Sequence, residues 1–197
     1  MTHRCVAVAP VGKAWMDAAL PPALRRLLEI EVFVPASTSI DGIVDEVRSA
    51  ITDDALVFGH SMNGALALAV ASRVPVRGVI AVAAPPELPI AVAPDGRRWF
   101  DENVDTTSLD ALMEVRFEWV MEVFANASAF DWEAARAAID APVLLVLGAH
   151  DGVVPTTMWP DARGVRHLTT VALDRSAHTP FVEQPDDFVA AVSRWLA

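Results

Sequence analysis

The stretch VFGHSMNGALALAV, residues 57–70, begins as an apolar strand-like run, passes through one serine among turn-prone residues, and becomes a helix-forming run of alanine and leucine. A strand that turns sharply into a helix is the building unit of an α/β fold. The hydroxyl at the bend has two readings. It caps the helix that follows, or it is displayed on a strained turn with the helix N-terminus aimed at it, as a nucleophile requires. Partners elsewhere in the chain decide between them.

Outward from this stretch, six short segments rich in valine and alanine and bounded by turn residues read as strands buried on both faces: 4–10, 29–35, 55–60, 76–85, 142–150 and 166–173. Helical patterns over 16–28, 40–51, 62–73 and 185–196 fall between or after them. Strand–helix alternation predicts a mostly parallel six-stranded sheet with helices on both faces and right-handed crossovers. The rhythm breaks once, at approximately 86–140, where an insertion is expected to form a small helical lid. Its strongest feature is an amphipathic helix over 108–124, with Ser108 as N-cap and Leu109, Met113, Phe117, Val120 and Phe124 recurring every three or four residues. A second helical run covers 131–141.

The 197 residues suit one domain spanning 1–197, and 53% apolar against 21% charged residues fits a packed core. The net charge of −11 argues against nucleic acid or an anionic membrane as partner, since both repel such a body, and leaves a neutral or cationic small molecule open. The apolar stretch 78–94 is broken by Pro85, Pro86, Glu87 and Pro89 and does not read as a membrane span. The short apolar run after Arg4 is interrupted by Pro10 and Gly12, and reads better as a strand than as a secretion signal. One cysteine, Cys5, inside a predicted strand, excludes an internal disulfide and a thiolate metal cluster and suits a cytoplasmic location. His3, His60, His150 and His167 show no metal-ligand spacing, so no metal is expected.

In a parallel sheet functional groups gather beyond the carboxyl ends of the strands. Ser61 follows the third strand, Asp151 the fifth, in LGAHDGVVP, and His178 the sixth, in LDRSAHTPF. A serine hydroxyl needs a base, and the base needs an orienting acid. The order serine, aspartate, histidine supplies nucleophile, acid and base on one sheet edge, with Asp174 and Glu183 as alternative acids. His60 reads as structural, and His150, adjacent to the acid, points away from it.

GHSMNG, APVLLVLGAHDGVVP and SAHTPFVEQPDDFVAAVSRWL resemble the nucleophile elbow, acid segment and histidine loop with last helix of the α/β-hydrolase family. VAVAPVGKAWMDAALPPAL is similar to its oxyanion-loop region. The resemblance covers nearly the whole chain and implies an α/β-hydrolase fold lacking the first two strands. It also implies a cofactor-free serine esterase or thioesterase acting on an apolar small molecule. Under it, the oxyanion meets the amide of Met62 and one from Val11 or Gly12, while Trp15, Trp99, Phe117 and Phe124 are expected to line the substrate pocket. Asn63 stands where the family has glycine, which predicts a strained elbow at that residue, and Pro10, Val11 and Gly12 replace the family's usual His-Gly pair at the oxyanion loop. Two other readings stay open. One is a lyase, cyclase or cofactor-free oxygenase using His178 as base; the other is an inactive ligand-binding protein on the same scaffold.

Overall fold

The computed structural model describes residues 2–9, 13–52, 54–88, 117–160 and 164–197. Six strands form one parallel sheet: β1 (His3–Val8), β2 (Leu28–Phe33), β3 (Leu56–His60), β4 (Gly78–Val82), β5 (Val143–Gly148) and β6 (Leu168–Leu173), in the order β2-β1-β3-β4-β5-β6. The central strands are buried throughout because successive side chains enter opposite cores. Val57 joins the apolar cluster built with α2 (Ile40–Ala50) and α3 (Met62–Ala71). Leu56 and Phe58 join the cluster on the other face, with Met16 of α1 (Lys13–Ala19) and Phe188 and Val192 of α7 (Pro185–Leu196). This two-sided burial is why the central strands read as continuous apolar runs; the edge strands β2 and β6, expected to be buried on both faces as well, have only one strand neighbour each and leave Glu29, Glu31, Thr169 and Thr170 exposed.

Helix α3 is buried along its whole length and carries no polar face, as befits a helix enclosed on all sides. Helix α2 keeps one apolar stripe, Ile40, Ile43, Val44 and Val47, and starts where Ser39 Oγ accepts from Gly42 N at 3.1 Å. The helix expected over 16–28 is shorter than its pattern: it spans Lys13–Ala19, Leu24–Arg26 form a separate 3₁₀ turn, and Leu28 already opens β2. Pro21 and Pro22 cannot donate to a helix ladder there.

Of the expected insertion, the described part holds α4 (Phe117–Asn126) and α5 (Trp132–Ala138). Side-chain bonds fasten α4 to the loop after β2: Trp119 Nε1 donates to Ser37 O at 2.7 Å, and Asn126 Nδ2 to Thr38 O at 3.2 Å and Thr38 Oγ1 at 3.3 Å. Asp131 Oδ1 caps α5 by accepting from Ala134 N at 2.9 Å. Residues 108–116, with the expected cap Ser108, lie outside the described residues.

The strand order reverses between β1 and β3, the chain running outward to β2 before returning. At such a switch point the loops leaving the two strands diverge and open a crevice beyond their carboxyl ends. Ser61 sits at that point.

Candidate active site

Ser61 lies between β3 and α3 with φ 54° and ψ −128°, a conformation costly for any residue with a Cβ, on the order of 1–3 kcal/mol. Main-chain bonds hold it there. Its N–H donates to Val82 O of the neighbouring strand at 2.8 Å, and its carbonyl accepts from Gly64 N at 2.8 Å. The sharpness of the turn is set by two glycines. A Cβ at Gly59 would lie 2.0 Å from Asn63 O, and one at Gly64 would lie 2.3 Å from the Ala84 Cβ. The strain expected at Asn63 therefore falls elsewhere: Asn63 sits within α3, and among the described non-glycine residues only Ser61 and Ala83 have positive φ. Asn63 is nonetheless unusual, because its Oδ1 is buried with no hydrogen-bond partner among the described residues.

The capping reading of Ser61 does not hold, for its side chain makes no cap bond to α3. The hydroxyl lies 2.9 Å from His178 Nε2 instead. The other ring nitrogen, Nδ1, lies 2.9 Å from Asp151 Oδ2. Asp151 has a fully buried side chain, and its Oδ1 accepts from Val153 N at 2.8 Å and Val154 N at 2.9 Å. Burial alone would favour its neutral form, but the His178 hydrogen bond and charge, with the Val154 and Val153 amides, outweigh it and hold the carboxyl below its ordinary value. A charged Asp151 only accepts, so Nδ1 carries the imidazole proton and Nε2 is left to accept from the Ser61 hydroxyl. The alternative acids do not touch the ring. Asp174 accepts from Gln184 Nε2, and Glu183 accepts from the main chain around His178.

His60, beside the serine, does more than fill space. It is buried, and its Nε2 donates to the main-chain carbonyl of His178 at 2.7 Å. Its ring packs edge-on against Phe181 at 5.1 Å between centroids. Burial, aided by the nearby His178 charge, pushes its pKa down to about 3, so the ring is a neutral donor at ordinary pH. No sequence spacing revealed this bond, which joins residues 118 apart. His150 is exposed, in keeping with its expected outward direction.

Met62 heads α3, where a first-turn N–H lacks an intrahelical acceptor and the helix dipole favours negative charge. Val11, Gly12 and Trp99 lie outside the described residues. Trp15 falls in α1 and Phe117 opens α4. Phe124 is buried in the apolar cluster shared with α2 and α3, so its described surroundings are core. Among the described residues no cluster of histidine, cysteine or carboxylate side chains could hold a metal ion, and burial pushes the Cys5 thiol up to about 12, which leaves it inert.

Residues 10–192 match the sequence model of the alpha/beta hydrolase family. The chain belongs to that family. Among curated relatives of this alpha/beta hydrolase is a pimeloyl-[acyl-carrier protein] methyl ester esterase of Shewanella sp. (strain MR-7), 24% identical over 83% of this chain and 76% of the relative. Solved structures agree in fold. A hydrolase from Pseudomonas aeruginosa PA01 superimposes with a TM-score of 0.75 at 18% identity, covering 100% of this chain and 90% of its own. The enol-lactonase from Burkholderia xenovorans LB400 gives 0.72 at 17% identity, covering 100% and 92%. The six-stranded parallel sheet with its flanking helices is thus the alpha/beta-hydrolase fold, and the protein is an enzyme of that fold.

Proposed function

We propose that this enzyme is a serine esterase that cleaves a carboxylic ester of an apolar small molecule through Ser61, His178 and Asp151. The observation that carries the reading is the unbroken chain of contacts from Asp151 Oδ2 to His178 Nδ1 and from His178 Nε2 to Ser61 Oγ, both 2.9 Å. His178 takes the hydroxyl proton as Ser61 attacks the carbonyl carbon, and Asp151 stabilises the imidazolium that forms. The Met62 amide and one from Val11 or Gly12 receive the oxyanion; each such donor is worth about 2.7–4 kcal/mol in related chemistry. Collapse of the tetrahedral adduct expels the alcohol, which takes the proton from His178. Water, deprotonated by the same imidazole, then attacks the acyl-enzyme, releases the acid and restores the serine.

The relatives named as methyl ester esterases support an oxygen ester over a thioester. The net charge of −11 favours an uncharged or cationic substrate. The lid expected over 86–140, with Trp99 and Phe117, and Trp15 of α1 are proposed as the apolar walls that receive the acyl or alcohol group.

The test compares wild type with Ser61→Ala on a panel of p-nitrophenyl esters and matched thioesters. Wild type should give an acyl-enzyme burst and covalent phosphonate labelling at Ser61. The variant should lose both, with turnover down on the order of 10⁴–10⁶-fold. An alanine variant that still turns over esters refutes the nucleophile. Labelling of Ser61 without any burst or ester turnover favours the lyase, cyclase or oxygenase reading, and ligand-induced thermal stabilisation without turnover favours a binding protein.

A further inference from the structure

The imidazole of His178 must satisfy two partners at once, and nothing in its own side chain fixes the backbone that carries it. The loop 177–179 lies at the end of the sheet, with the His178 side chain 21% exposed. Two residues outside the proton-transfer chain hold it from opposite sides. From inside, His60 Nε2 donates to the carbonyl of His178 itself at 2.7 Å. From outside, the Glu183 carboxylate accepts from the amides on either side of His178: Ala177 N at 2.5 Å and Thr179 N at 3.3 Å. It also accepts from Thr179 Oγ1 at 2.9 Å.

We infer that His60 and Glu183 are positioning residues, a two-sided clamp that sets the His178 main chain so that its imidazole reaches Ser61 and Asp151 together. This rests on the esterase reading above. His60 is the residue immediately before the serine, so its bond ties the backbone of the nucleophile turn to the backbone of the base across 118 residues of sequence. A shift of either loop is thereby transmitted to the other, and the Ser61–His178 distance is kept. Glu183 does the complementary work. By gathering Ala177 N, Thr179 N and Thr179 Oγ1 onto one carboxylate, it limits rotation of the 178–179 peptide, whose carbonyl His60 holds from the other side, and of the 176–177 peptide just before the base. Edge-on packing of Phe181 on His60 and on Phe58, at 5.1 and 6.3 Å between centroids, seats the helix that carries Glu183, α6 (Pro180–Glu183), against the sheet. The clamp bonds end on the main chain around His178 and on the Thr179 hydroxyl, not on Ser61 Oγ, so their effect reaches chemistry through the geometry of His178.

The experiment measures steady-state hydrolysis of p-nitrophenyl butyrate by the full chain, with reactive sites counted by titration with diethyl p-nitrophenyl phosphate carried to completion. The variants are Glu183→Ala, Glu183→Gln, His60→Phe and His60→Gln. A clamp predicts that Glu183→Ala and His60→Phe each lower kcat per titrated site by on the order of 10–100-fold with KM within about twofold, since displacing a reacting group by about 1 Å has effects of that size. Glutamine at either position, which keeps one acceptor or one donor, should recover part of the loss. A purely structural role would lower the number of titratable sites and leave kcat per site unchanged. That result at both positions overturns the inference. Glu183 lies at the exposed rim, so its pair decides the matter if the buried His60 variants fail to fold. Ser61→Ala serves as reference: if it retains turnover the esterase reading itself falls, whereas an inactive Ser61→Ala beside fully active Glu183→Ala and His60→Phe defeats only the clamp.

Discussion

The turn carrying Ser61 and the loop carrying His178 lie 2.9 Å apart at those two side chains, yet they are built on different physics. The turn is held by backbone against backbone: two glycines allow contacts no side chain would permit, and Ser61 bears the conformational cost. The histidine loop makes one such approach, where a Cβ at Gly148 would lie 1.9 Å from Ala177 O. Main-chain bonds contribute too, His150 N donating to Ser176 O at 2.9 Å, but polar side chains supply much of the fastening. Gln184 Oε1 accepts from Arg175 N at 2.8 Å and from Ser176 Oγ at 3.0 Å, with His60 and Glu183 as described. Steric fastening is stiff but intolerant of change. Hydrogen-bonded fastening is adjustable, and it responds to pH.

The largest effect expected from perturbing this contrast is chemical. Asp151→Asn keeps the size of the side chain but can present an amide donor to Nδ1, which flips the imidazole tautomer; kcat on p-nitrophenyl esters should drop about 10⁴-fold with little change in thermal midpoint. Next is the steric side. Gly59→Ala forces a methyl into the Asn63 carbonyl and should cost about 3 kcal/mol or more in urea unfolding, together with activity. Gly152→Ala, at a position where a Cβ meets nothing within 4 Å, should stay within about 0.5 kcal/mol. Equal costs at the two sites would dissolve the distinction.

Acid should separate the two regions further. In the unfolded chain His60 titrates near 6.5, whereas in the fold it is pushed down to about 3. Between those values the unfolded state binds more protons, so the stability is intact above about pH 6.5 and drains as pH falls toward 3. Asp151, held below its ordinary carboxyl value, adds a loss at still lower pH, as its own folded-state titration is passed. Thermal midpoints from pH 7 to 4 should therefore decline, and His60→Gln should flatten that slope. An unchanged slope would remove His60 as the sensor. A small effect of opposite sign concerns Asn63. Replacing it with alanine removes a buried unpaired carbonyl and improves helix propensity, for a gain on the order of 1 kcal/mol in thermal unfolding; a loss of that size would show the carbonyl to be engaged.

The same division explains what was legible in the sequence. The central strands β3, β4 and β5 stood out because burial on both faces writes them as nearly unbroken apolar runs, whereas the half-exposed edge strands β2 and β6 carry Glu29, Glu31, Thr169 and Thr170 among their apolar residues; the ends of all six agree with the pattern to within a few residues. Helix α1 was misjudged because apolar periodicity continued past Pro21 and Pro22, where the backbone cannot. Ser61, Asp151 and His178 could be singled out since each follows an apolar run ending on the same sheet edge. The polar fastenings were not readable. His60 has no periodic signal, and Glu183 looked like a rival acid because its spacing from His178 says nothing about whether it binds ring or backbone. Asn63 drew attention for backbone strain, while the structure puts the strain on Ser61 and the anomaly on an amide oxygen.

The spread of the proposed site across the sheet also bears on when turnover can first appear during folding. Ser61 and His178 come from β3 and β6, which meet only through β4 and β5, and every pairing in that series is parallel and therefore non-local. On the proposed chemistry, recovered turnover after dilution from denaturant should report the completion of the β3–β6 pairings that bring His178 to Ser61.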